Sequence, residues 1–288
     1  MQNIISLDVE DYASADRWRP ARGRSTVSPR VVDDTRRVLE LFDTMGVRAT
    51  CFVLGRVAAA VPELVREIAE RGHEVASHGY AHLRMRFLTP QAFGEDLRAS
   101  LAVLQDALGY PVHGFRAPGF SLSAQERWAF PIMASCGLTF DSSIRVTWPF
   151  GLAAGRRLIA AAAAVGIREI PGFRVGIGRV ALPLGGGAIL GLLPGWTTAW
   201  GIRRLNRAGF PVPLYLHSYD ITVGADEPWE RGTWIGRLGM RLFLALQSVG
   251  RRRLAGRLQA AAAVGGVTPV GGYLDRRDRV LLGGSTQR

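Results

Sequence analysis

Two imidazoles four positions apart, in Ser77-His78-Gly79-Tyr80-Ala81-His82, can present two nitrogens to one divalent ion from a helical turn or a tight loop. A carboxylate from a distant segment would complete a three-ligand set and leave positions for water and substrate. That is the layout of a hydrolytic rather than a structural metal. The chain offers such carboxylates at its start, in Asp8-Val9-Glu10-Asp11. H-x-x-x-H alone is a weak signal; the placement of both pieces strengthens it.

Asn3 to Val9 reads as a strand that ends directly in acidic residues. Val31 to Met45 has helical spacing and stops at Gly46. Val47 to Leu54 reads as a strand, Pro62 to Gly72 as a helix, and His73 to Ser77 as a strand that delivers His78. Thr89-Pro90 opens a helix ending at Gly109, and Pro111 to Phe115 is strand-like. Ser123 and Glu126 form a capping box opening a helix to Gly137, followed by a strand from Leu138 to Phe140. The second half is less regular: a strand from Ile167 to Val175, a turn at Gly185-Gly186-Gly187, a helix from Leu192 to Ala208, and a strand from Val212 to Leu216 that delivers His217. Trp234 to Leu258 reads as a basic amphipathic helix, and residues 275–288 as a disordered tail.

Repeated β–α units imply an α/β fold, a parallel sheet or barrel with helices outside. Asp8, Glu10, Asp11, His78, His82, Arg116, Asp141 and His217 all fall at or just after the C-terminal ends of separate strands. Folds of this class build their active sites at that edge.

The 288 residues, 48% of them hydrophobic, suffice for a sizeable core. A net charge of +12 invites nucleic acid, but all 36 basic residues are arginine and they are spread along the chain. That is a compositional habit rather than a patch, so no nucleic-acid partner is expected. Cys51 and Cys136 form no CxxC and read as buried thiols. No signal peptide or long apolar span is apparent, so a cytoplasmic location is expected. Gly176-x-Gly178-x-x-Ala181 imitates a dinucleotide fingerprint, but Pro183 and the triple glycine prevent the helix it needs.

These residues in this order resemble the polysaccharide deacetylase (NodB-like, carbohydrate esterase family 4) family. Asp8-Val9-Glu10-Asp11 resembles its acidic motif and Ser77-His78 through His82 its histidine motif. Arg116-Ala117-Pro118-Gly119-Phe120 resembles its R-x-P motif, Asp141-Ser142-Ser143 its aspartate motif, and Leu214-Tyr215-Leu216-His217 its final motif. The opening and the R-A-P-x-F run are similar to the exosortase-associated exopolysaccharide deacetylase group. Two departures are Ser218-Tyr219-Asp220 where Pro-Trp-Glu is usual, and Ala188-Ile189-Leu190 where an aromatic and an arginine are usual.

The resemblance implies a distorted, seven-stranded (β/α) barrel in one domain over residues 1–274, with motifs in 3–220 and an extension over 221–274. It implies a metal-dependent hydrolase that removes N-acetyl groups from an exopolysaccharide or its lipid-linked precursor. Alternatives are a metal-independent, allantoinase-like amidase of the same fold and an inactive glycan-binding barrel. The divalent ion suits zinc, with cobalt or nickel also compatible. Asp8 is then the base, and His78, His82 and an acid hold the ion. Glu10, on the same strand face as Asp8, is the first choice for that acid and Asp11 the second. Arg116 pairs with Asp8, His217 is the general acid, and Asp141 orients Arg116 or His217. Leu214 or Leu216 walls the acetyl pocket, and His73 and His113 are structural. Arg237, Arg241, Arg251, Arg252, Arg253 and Arg257 on the basic helix suggest peripheral contact with the inner membrane leaflet.

Overall fold

Strand β1 (Asn3–Val9) is buried along its whole length, as expected where a parallel sheet is covered on both faces. The computed structural model describes residues 1–11, 27–28, 30–177, 180–222 and 250–283. Beside β1 lie β2 (Thr50–Val53), β3 (Glu74–Ser77), β4 (Gly114–Phe115), β5 (Phe140–Asp141) and β7 (Arg168–Glu169), with β10 (Pro213–His217) on the other side. All run parallel, in the order β10-β1-β2-β3-β4-β5-β7. Laid flat, β1 and β4 would stand ~14 Å apart. Arg116, at the end of β4, nevertheless reaches Asp8 on β1 at 2.7 Å, so the sheet is curled.

This is the expected α/β barrel in an open form, a seven-strand half-barrel. Among the described residues β7 and β10 do not pair. The free edge of β10 instead donates Tyr215 N–H to Gly185 O (2.8 Å), at the end of a smaller sheet of β6 (Arg145–Trp148), β8 (Gly172–Ile177) and β9 (Val180–Leu184).

Alternation sorts the strand residues into two cores. Ile5, Leu7, Val9, Cys51, Val53, Val75 and Phe115 face a helical layer that includes α1 (Arg30–Thr44), α3 (Pro62–Glu70) and α4 (Pro90–Leu108). Ile4, Phe52, Ala76 and Phe140 face the interior. Further along that interior face come Asp8, His78 and Arg116, so one periodicity places both the inner core and the polar mouth. At Gly114 the inner face is so crowded that an added Cβ would lie 2.0 Å from the tip of the buried Phe140 ring. Gly114→Ala is therefore expected to cost about 1–3 kcal/mol, read as a lowered urea midpoint; an unchanged midpoint would mean the ring has room to yield.

Four differences from the sequence-based expectations have identifiable causes. Ile167 to Val175 is two strands in two sheets, β7 and β8, broken at Pro171. The helix expected from Leu192 to Ala208 starts only after Pro194, as α8 (Gly195–Arg207), and a separate α7 (Gly187–Leu192), not expected, precedes it. The capping box at Ser123 opens only a 3₁₀ turn (Ala124–Glu126), with α5 (Ala129–Ser135) following. The tail expected to be disordered after Leu274 is instead helical to Gly283 in α10 (Val270–Gly283). Val270, Tyr273 and Leu274 join the inner core, Gly271 N–H donates to Glu74 (3.1 Å), and Asp278 pairs with Arg168. Thus α10 covers the end of the half-barrel opposite the polar mouth.

Of the basic helix, residues 234–249 lie outside the described residues. Residues 250–262 are helical, with Leu254 and Leu258 buried and Arg252 and Arg253 exposed. Among the described residues no helix is long and apolar enough to cross a membrane.

Candidate active site

Glu10 leaves β1 one residue past its end, and His78 leaves β3 in the same way, so both carboxylate and imidazole sit at the mouth. His82 is brought back to them by a tight loop. Gly79 turns at φ 73°, Tyr80 and Ala81 donate their N–H groups to the Asp96 carboxylate (2.8 and 3.0 Å), and His82 itself sits at φ 58°. Side chains other than glycine seldom adopt that left-handed region, so the loop holds His82 by constraint, with Asp96 on α4 as its positioning group.

Ligand atoms of Glu10, His78 and His82 all lie within 4.8 Å of one another, and all three residues are buried. His78 Nδ1 lies 2.8 Å from Arg116 O. A carbonyl only accepts, so that nitrogen carries the proton and Nε2 is left with its lone pair, 3.8 Å from Glu10 Oε2. Burial lowers the His78 pKa. His82 Nε2 touches Glu10 Oε2, which is shielded from solvent and has no hydrogen-bond partner among the described residues. A buried carboxylate oxygen and two imidazole nitrogens converging on one point are a donor set suited to a divalent cation. Burial would raise the Glu10 pKa, but His82, His217 and His78 outweigh it and hold the carboxyl well below the usual range. Glu10 Oε1 accepts from Tyr219 Oη (2.9 Å). Tyr219 keeps its proton because burial and Glu10 push its pKa well up.

Asp8 lies one strand step inside. Its Oδ1 accepts from Arg116 Nη1 at 2.7 Å. Arg116 is fully buried, donates also to Ser6 Oγ and Ser142 Oγ (both 3.0 Å), and stacks over Phe52 at 3.9 Å. Removing one partner of such a pair strands a buried charge. Arg116→Met is expected to cost about 3–5 kcal/mol, measured by denaturant unfolding; a loss below ~1 kcal/mol would mean that water replaces the guanidinium.

His217, at the end of β10, turns Nε2 to 3.9 Å from Glu10 Oε1, while Nδ1 lies 3.2 Å from Asp220 Oδ2. Burial lowers its pKa, but Asp220, Glu10 and Asp8 outweigh that and push it up to about 9. The ring is therefore cationic at neutral pH, with a proton to give.

The structure thus gathers Asp8, Glu10, His78, His82, Arg116 and His217 at one mouth. It does not bring Asp11 to the ligand cluster: that carboxylate accepts from Ser28 N–H (2.8 Å). Nor does Asp141 hydrogen-bond to Arg116 or His217. It accepts from Ser143 Oγ and is paired with Glu169. Burial raises the pKa of both acids, and Asp141 raises Glu169 further, so the pair holds a proton. Its link to the site is indirect, since Ser143 Oγ also takes Ala117 N–H (2.7 Å) and so fixes the backbone beside Arg116. His73 Nδ1 takes the Ala49 N–H (3.1 Å), a structural role.

Tyr219, Asp220, Asp96 and Glu169 also support the site, and none of them belongs to a sequence motif that gives it a role. Asp220 carried a usable signal, an acid three residues after a strand-end histidine, where a single 3₁₀ turn (Ser218–Asp220) returns it to the ring. Asp96 and Glu169 carried none, because each acts through a segment far away in sequence.

Residues 27–143 match the family model described as polysaccharide deacetylase, and residues 150–250 match a domain of unknown function, DUF3473. His78, His82, Arg116 and Asp141 fall in the first segment. The chain is 29% identical over 96 residues to a peptidoglycan-N-acetylglucosamine deacetylase of Bacillus cereus, covering 33% of this chain and 35% of that protein. It is 32% identical over 112 residues to the peptidoglycan-N-acetylglucosamine deacetylase PgdA of Listeria monocytogenes, covering 38% of this chain and 22% of that one. The alignments therefore span about a third or less of these relatives. A family 4 carbohydrate esterase from Streptomyces lividans aligns over 93% of this chain and 91% of its own at 17% identity, with a TM-score of 0.48.

Proposed function

We propose that the chain is a polysaccharide deacetylase, a hydrolase that cleaves the amide of an N-acetylated sugar with a divalent ion held by Glu10, His78 and His82. The observation that carries this proposal is the convergence, at one mouth, of that donor set with an Arg116-bound Asp8 and a His217 ring held by Asp220. Bound there, the ion would supply Lewis acidity toward water and the acetyl carbonyl.

The remaining work falls to the chain's own groups. Asp8, fixed by Arg116, accepts a proton from the attacking water. His217, fixed through Nδ1 by Asp220, delivers a proton from Nε2 to the nitrogen as the C–N bond breaks. Water thereby adds across the amide to give acetate and a free amine. Tyr219 holds Glu10 from the other side and stacks flat on His217, with centroids 5.2 Å apart. Leu214 and Leu216 are fully buried in β10, on the opposite alternation from Tyr215 and His217, so the aromatic face of Tyr215 is a better wall for the acetyl group than either leucine.

The zinc-like donor set and the resemblance to exopolysaccharide deacetylases support zinc as the ion and an exopolysaccharide or its lipid-linked precursor as the substrate. The metal-loaded chain incubated with N-acetylglucosamine oligomers and other N-acetylated glycans is expected to release acetate and amine one to one. Absence of acetate from every such glycan, with the metal bound, would overturn the proposal.

A further inference from the structure

The small sheet has one face in the core and one outside. Val146, Phe173, Val175 and Leu184 are buried on the first. Register pairs Arg145 with Gly172 and Thr147 with Arg174, and parallel pairing puts all four, with Gly176, on the other face. Phe120 lies against this face at Gly172, where a Cβ would come within 2.8 Å of its ring. At the far end Phe150, 74% exposed, covers Gly176 in the same way. Between the two aromatics stand Arg145 and Arg174 on a floor of small residues.

A third arginine joins them, since Arg84 lies over Gly119, whose carbonyl accepts from Arg145 Nη2. Arg174 Nε is shielded from solvent with no hydrogen-bond partner among the described residues. Burial, Arg174 and Arg84 lower the Arg145 pKa, against Tyr215. Arg145, which reaches a backbone carbonyl, and Arg174, with its unsatisfied donor, are paired with no acid among the described residues and form a place for an external anion. The face also adjoins the mouth. Phe120 packs on Tyr215 (centroids 5.0 Å) and Tyr215 on His217 (5.8 Å).

We propose that this face of β6 and β8 is a subsite for an anionic group, carboxylate or phosphate, carried by the glycan unit next to the one that is deacetylated. The position of that unit rests on the deacetylase proposal; the anion site itself does not. Arg145 and Arg174 would grip the anion by charge-assisted hydrogen bonds, and Phe120 and Phe150 would flank the sugar rings.

The test uses the full metal-loaded chain and three probes: a neutral N-acetylglucosamine tetramer, an oligosaccharide alternating N-acetylglucosamine with glucuronate, and N-acetylglucosamine 1-phosphate. Binding is measured by calorimetry and, where acetate is released, by kcat/KM. At least one acidic probe is expected to bind more tightly than the neutral one, with affinity falling as salt rises. Arg145→Gln and Arg174→Gln are each expected to weaken that probe about tenfold while changing the neutral tetramer less than about twofold. Arg174→Lys should retain most of the gain, which separates charge from folding. Preference for the glucuronate probe identifies a uronate-bearing polymer, and preference for the phosphate probe a phosphate-linked precursor. Equal binding of acidic and neutral probes, or equal losses in the variants, overturns the subsite even if the tetramer is deacetylated. A selective loss of acidic binding supports it even if nothing is hydrolysed.

Discussion

Replacing His78 with alanine is expected to empty the metal site and lower deacetylation on the order of 10³-fold or more. An ion that polarises the carbonyl and activates water supplies several kcal/mol of transition-state stabilisation, and each 1.4 kcal/mol is a factor of ten. His78 is buried, and its ring is already oriented by the bond from Nδ1 to Arg116 O, so alanine removes a ligand rather than a loose surface group. Elemental analysis and initial rates on the same sample check both parts, with circular dichroism to confirm the fold. His73→Ala is the control, because that ring takes the Ala49 N–H and packs on Phe42 at the other end of β3. A His78→Ala protein that keeps a stoichiometric ion would place the metal elsewhere.

The second large effect separates the acids. Asp8→Asn is expected to retain the ion while turnover falls about 10²- to 10⁴-fold, the usual contribution of a general base. Asp8 is outside the three-residue donor set and is spoken for by Arg116. Glu10→Ala, in contrast, should lose the ion itself. Asp11→Ala should lose neither ion nor turnover, since that carboxylate serves Ser28 N–H. Loss of the ion in Asp8→Asn, or in Asp11→Ala but not Glu10→Ala, would require the ligand and base roles to be exchanged.

How much of this was legible in the sequence depended on whether the cause was local. The β–α alternation placed Asp8, His78, Arg116 and His217 at one sheet edge, because strand ends are marked by short-range patterns: C-terminal glycines at 46, 72 and 109, and Thr89-Pro90 opening α4. The preference for Glu10 over Asp11 came from the resemblance, in whose D-x-D branches the acid two positions on is the ligand, with added support from the local rule that residues two apart share a strand face. What could not be read was tertiary. Ile167 to Val175 has strand character throughout, but Pro171 lets it leave one sheet and enter another, and only packing decides that it does. Residues 275–283 look polar enough to fray, yet α10 is held by Val270, Tyr273 and Leu274 against Ile4 and Phe52, at the other end of the sequence. Asp141 was expected to orient Arg116 or His217, but its partner is Glu169 from β7, a strand the sequence did not delimit.

Hydrolysis is expected to depend on an ion held by Glu10, His78 and His82. The most direct test measures acetate release from an N-acetylglucosamine oligomer by the purified chain before chelation, after chelation, and after one equivalent of a divalent ion is restored. One bound ion per chain, loss of turnover with its removal, and recovery on adding zinc, cobalt or nickel are the expected results. Undiminished turnover by chain that elemental analysis finds free of metal would contradict that dependence, and would leave Asp8, Arg116 and His217 as the working groups of a metal-independent amidase.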